Sequence, residues 1–189
     1  MKQILLLAVT VGLVAFAATP AIGGGPGAPK FVTGTSVGTT TSDPYTFAPL
    51  VYSHSEGVLN AKQPWGKLSY VRDAFQDWSG QSYPSNPCGV IAQSSFTTYF
   101  DVNNNANSFY TQMSGTVCEL PVRNSNPLDF NNTRYTSTLV ETVVSGSGQG
   151  RFAGITGTLN TTGTSTGPSP PTGVYTDSFK TTGTLTFAP

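Results

Sequence analysis

Glu141 lies in the run RYTSTLVETVV (134–144), with Leu139 and Val143 two residues to either side. Residues two apart in an extended chain share a face, so this carboxylate sits on an apolar face. Turned into an apolar interior it would have a raised pKa and act as an acid or base. Turned outward it would pair with a Lys or Arg in water, and the sequence leaves both placements open. Arg72, Asp73 and Asp77 lie close together and suit a solvated loop or helix face. Arg151, inside a glycine-rich segment, has a planar fork that fits an anion or caps local carbonyls. His54 stands between two serines in SHSEG (53–57), but no G-x-S-x-G elbow accompanies it, so a hydrolase triad is not expected. Trp65, Trp78 and Tyr83 have the rings to stack on a sugar, although an aromatic core is the plainer use.

Two cysteines, Cys88 and Cys118, complete the reactive side chains. With the single His54 they are too few for a zinc site, and no metal or cofactor is expected. Both are equidistant in sequence from Asn103, the start of a turn-forming asparagine cluster, so a disulfide across the open end of one hairpin is expected. One detail resists. Placing Phe96 on the face of Phe109 and Met113 puts Cys88 one residue out of step, so it is expected in the loop after Pro87, where strand alternation does not apply.

The compartment follows from the first residues. Lys2, the apolar run Ile4–Ala18 and the small residues Ala15 and Ala17 have the pattern of a secretory signal peptide over residues 1–21, cleaved between 17 and 24. The apolar run is shorter than the roughly 20 residues a membrane-spanning helix needs. A secreted protein, in the periplasm or at the cell surface, is expected, with no membrane span. Charged residues make up 10% of the chain, against about 25% in ordinary soluble domains. Without Lys2, eight Lys plus Arg face nine Asp plus Glu, a formal charge of −1. That offers no electrostatic footprint for nucleic acid or anionic lipid.

The elements that must position these residues are strands. Residues 22–44 are rich in Gly, Thr and Pro and suit an extended arm with one short strand near Phe31–Val37. Residues 45–189 form the expected single domain. Strands are predicted over Tyr45–Ser53 and Trp65–Val71, a loop over Glu56–Pro64 and another over Ser79–Gly89. In SSFTTYFDV (94–102) Phe96, Phe100 and Val102 share a face, and in FYTQMSGTV (109–117) Phe109, Met113 and Val117 do. A long strand runs from about Leu128 to Val144, and Phe179 and Leu185 share a face in the last segment. About eight strands joined by short turns predict an antiparallel up-and-down barrel, with a β-sandwich as the alternative. The lumen candidates are Phe96, Phe100, Phe109, Met113, Tyr135, Leu139 and Glu141.

The segment GSGQGRFAGITG (146–157) combines many glycines with Phe152 and Ile155. So many flexible residues are tolerated only where the backbone turns or passes closely. Gly148, Gly150, Phe152 and Gly157 resemble the Gly-(Ser/Thr)-Gly-x-Phe-x-x-Ala-x-Gly signature of the allene oxide cyclase and dirigent barrels. Gln149 and Ile155 depart from it. The resemblance implies a barrel with an apolar lumen and carries across no catalytic residue. On the residues themselves, a sharp turn at Gly148 and Gly150 should let Phe152 and Ile155 plug the barrel wall. Three functions stay open: a lumen that binds a small apolar or amphipathic ligand, a structural subunit at the cell surface, or an isomerase or cyclase of the kind the resemblance suggests. A homo-oligomer is expected through the arm or a barrel edge.

Overall fold

Alternation of polar and apolar residues on long, charge-poor segments dictates strands that face two different environments. The computed structural model describes residues 27–47, 50–82, 85, 87–120, 133–167 and 173–187. Nine strands follow in order: β1 (Lys30–Phe47), β2 (Leu50–Ala61), β3 (Lys67–Asp77), β4 (Cys88–Ile91), β5 (Phe96–Asp101), β6 (Asn104–Leu120), β7 (Thr133–Val143), β8 (Ile155–Gly167) and β9 (Val174–Phe187). All pairings are antiparallel, and each long strand pairs with its neighbours in sequence. β1 also pairs with β9 from Lys30–Leu185 to Thr41–Val174, which closes the hydrogen bonds in a ring. β4 and β5 each pair with both β3 and β6 and so share one wall position. The result is the expected up-and-down barrel, with eight wall positions.

Three expectations about its elements need correction. The arm expected over residues 22–44 is, from Lys30 onward, a wall strand bonded on both edges. Its Gly and Thr content misled because inward Gly38 and Ser36 are small where the barrel is crowded, not because the segment is loose. Within the described ring both edges of β1 are therefore paired. The loop expected over Glu56–Pro64 is mostly strand, since β2 continues to Ala61, and β3 runs on past Val71 to Asp77. Residues 1–21, expected to be a signal peptide, and Tyr83 lie outside the described residues.

The third correction concerns β5. Thr97, Tyr99 and Asp101 point inward, and Phe96 and Phe100 point outward, the reverse of the expected parity. Phe96 packs edge-on against outward Tyr110 at 6.2 Å between ring centres. The inward polar residues are needed for a buried network described below. This also removes the register conflict at Cys88. Phe96 pairs with Gln112 rather than Phe109, and an irregular step at Ala92–Ser95 offsets β4 from β5, so Cys88 is in strand β4 directly opposite Cys118. The two are bonded, with Cα atoms 3.9 Å apart. Closing a loop of 30 residues stabilises the fold by roughly 3–4 kcal/mol in the chain-entropy model.

The core fills one end of the barrel. Phe152 is wholly buried and stands edge-on to Phe109, with Trp65 stacked on it and on Phe187. Tyr99, Leu68, Ile155, Leu159 and Leu185 complete this plug. The glycine segment seats it as expected: Gly150 has φ +57°, and a Cβ there would strike the Asn107 side chain. Gly150–Phe152 form one 3-10 turn that carries Phe152 under the barrel. Arg151 caps the Trp65 carbonyl, contacts Asp101 at 2.9 Å and lies over the Phe152 ring. Of the two roles left open for it, carbonyl capping is the one observed, with Asp101 beside it to balance the charge.

Candidate functional site

Above the plug, the inward residues of β3, β5, β6 and β7 change from apolar to polar in one layer. β3 contributes Arg72, between inward Tyr70 and Ala74. Its Nη2 donates to Glu141 Oε1 at 2.9 Å and its Nε to Thr97 Oγ1 at 3.1 Å. Tyr99 and Thr111 donate to the other Glu141 oxygen at 2.8 and 3.1 Å. Glu141 has no exposure at all. The guanidinium lies between the rings of Tyr70 and Phe179, 5.2 and 5.3 Å from their centres.

Burial is the largest influence on Arg72 and opposes its charge, but Glu141, Tyr99, Tyr70 and Asp177 together outweigh it and raise the pKa. Burial, then Glu141, pushes the Tyr99 phenol far up, so it stays a donor. Of the two placements left open for Glu141, the inward one is observed, and its partner is Arg72 rather than a surface cation. Arg72, expected on a solvated face, is the residue the sequence reading missed. Extending β3 to Asp77 puts it in alternation with Leu68, Tyr70 and Ala74, and that signal was present.

This layer is the floor of a cavity of about 280 Å³. Met113, Val117, Leu139, Ile91 and Ala74 form one side. Trp78, Tyr135 and Tyr175 stand at the far strand ends in edge-on contact, 6.3 and 5.5 Å between ring centres. Gly89 makes this possible beside the disulfide: a Cβ there would lie 2.7 Å from the Trp78 indole. Glu119 lines the same end, and burial raises its pKa. Asp177 is fully buried beside the cavity wall, takes a hydrogen bond from Thr40 and has one oxygen without a hydrogen-bond partner. Burial raises its pKa as well.

The seven lumen candidates thus divide. Met113, Tyr135 and Leu139 line the cavity, and Glu141 lies just beneath its floor. Phe109 belongs to the plug. Phe96 and Phe100 are on the outer surface, because β5 spends its inward positions on the polar layer. Trp65 is core, and Trp78 is cavity wall.

His54 is outside the barrel, on the solvent face of β2. It bonds Asp73 through Nδ1 at 2.8 Å and Glu56 through Nε2 at 3.1 Å, while Tyr52 donates to Asp73 at 2.6 Å. The neighbouring serines Ser53 and Ser55 point inward, so no serine nucleophile faces this histidine. Among the described residues no three His, Cys, Asp or Glu side chains are placed to hold a metal ion, and no helix is long and apolar enough to cross a membrane. Comparison with protein-family models, curated proteins and solved structures finds no match to this chain.

Proposed function

We propose that this is an exported barrel that binds a small amphipathic molecule in its lumen and does not transform it. The observation that carries the proposal is the division of the lumen: one end is solid with aromatic side chains, and the other is a walled cavity with an apolar side and polar floor. Such a combination of mostly apolar lining and a few placed polar groups is the usual make-up of a small-molecule pocket. A disulfide at the cavity end favours an oxidising compartment. Kinship with the allene oxide cyclase and dirigent barrels is part of the proposal, supported by the glycine corner that seats Phe152 beneath the lumen.

An isomerase or cyclase is the second reading, favoured by a carboxylate, a phenol and a guanidinium at the floor. Against it, both Glu141 oxygens are occupied and the group has no exposure; a general base must reach its proton. A purely structural subunit would suit a lumen filled throughout.

Mass spectrometry of the natively purified protein, before and after denaturation, tests the reading. A small molecule released on unfolding is expected. Ala74→Leu should lose it with little change in melting temperature, because the added carbons project into the cavity rather than into packed core. A clean apo mass for the unaltered protein sinks the proposal.

A further inference from the structure

We propose that the cavity selects an organic cation, an ammonium group on a small apolar body, rather than an anion. This rests on the lumen-binding reading and names the ligand's charge. The presence of Arg72 at the floor points the other way at first sight, and the surrounding charges decide the matter. Arg72 already faces Glu141 at 2.9 Å and has its ring-contacting faces covered by Tyr70 and Phe179. Asp177 adds a second carboxylate in electrostatic contact with the same guanidinium. Glu119 adds a third around the cavity, and no Lys or Arg among the described residues pairs with it. Three carboxylates therefore surround a lumen that holds one guanidinium. An entering carboxylate would meet that excess, and an entering cation would relieve it.

The walls fit the same ligand. Trp78, Tyr135 and Tyr175 form an aromatic corner at the end where Glu119 stands. Ring faces attract cations through their quadrupole, and aromatic cages are the recurrent site for quaternary ammonium groups. Burial raises the pKa of both the Glu119 and Asp177 carboxyls, and an ammonium group placed beside them would act in the opposite direction and hold them ionised. At about 280 Å³ the cavity lies just under the range of pockets for drug-sized molecules, so the apolar body is short.

Three probes of one shape separate the charge from the shape: choline, its neutral carbon counterpart 3,3-dimethylbutan-1-ol, and 3,3-dimethylbutanoate. Calorimetric titration of the full exported protein should rank choline first, about 5- to 30-fold tighter than the alcohol, with the butanoate weakest. Glu119→Gln and Tyr135→Leu should each weaken choline several-fold and leave the alcohol unchanged. Equal or tighter binding of the alcohol or the butanoate overturns the cation assignment and leaves the lumen-binding reading standing. The same holds if a molecule released from the native protein, and lost in Ala74→Leu, carries no cationic nitrogen. Failure of all three probes to bind also overturns the assignment, and the native mass then decides the reading beneath it.

Discussion

Glu141 is a carboxylate with no access to water, so its stability as an ion depends on a small set of partners acting together. Removing one partner leaves a buried uncompensated charge, at a cost of about 3–5 kcal/mol, whereas replacing both ions by apolar groups is often neutral. Arg72→Met should therefore be strongly destabilising, and Arg72→Met with Glu141→Leu should recover most of the loss. Urea unfolding of the four proteins in a double-mutant cycle checks this; a double variant no more stable than Arg72→Met would contradict it. On the outer face, His54 behaves differently. Hydrogen bonds to Asp73 and then Glu56 raise its folded pKa, so its stabilising contribution is full below the unfolded value near 6.5 and is lost as pH rises through the folded value. For Asp73 burial acts upward, but Tyr52 and His54 prevail and lower its pKa. Its contribution is present above its unfolded value of about 3.9 and is lost as pH falls through the folded one. The cluster is thus strongest between about pH 4 and 6.5. Melting temperatures should drop between pH 5.5 and 8 in the native chain and drop less in His54→Gln; equal slopes would show that His54 does not couple to folding.

At the scale of elements, alternation served where one face of a strand was apolar and failed where it was not. Phe109, Met113 and Val117 were legible on β6, as were Phe179 and Leu185 on β9, because the large apolar residues of these strands are the inward ones, even though polar Thr111, Asp177 and Thr181 share the same face. β5 was misread because its phenylalanines face solvent, while Thr97, Tyr99 and Asp101 supply the buried hydrogen bonds. Nothing in six residues distinguishes a polar interior from a polar exterior; only the partner on β7 does. The glycine segment was legible as a turn that seats an aromatic plug, since few other uses suit large apolar residues among so many glycines. These two elements give opposite expectations for the same residue type. Phe152→Ala should cost roughly 3–5 kcal/mol, and Phe96→Ala, 38% exposed, should cost well under half of that. Comparable losses in thermal melts would refute the inverted parity of β5.

For the whole molecule, the barrel class was readable from strand count and short turns, but its closure was not. β1 had the composition of a loose arm, and its role as the strand that completes the ring depends on β9, whose paired residues lie 133 to 155 positions away in sequence. That closure sets where the two ends of the ring-closing pair emerge. Gly27 N donates to Phe187 O at 3.0 Å, and both lie at the plugged end, opposite Trp78 and Tyr175. A short Gly/Ser linker from Phe187 to Gly27, with a new start opened in the segment between β6 and β7, should therefore give a permuted chain that folds with the disulfide intact. Circular dichroism and thiol titration of that permutant would show it, and free thiols with lost β signal would count against the ring. The same geometry bears on tethering. A support or fusion partner joined before β1 or after β9 sits behind the plug, so the cavity end faces away from whatever holds the protein.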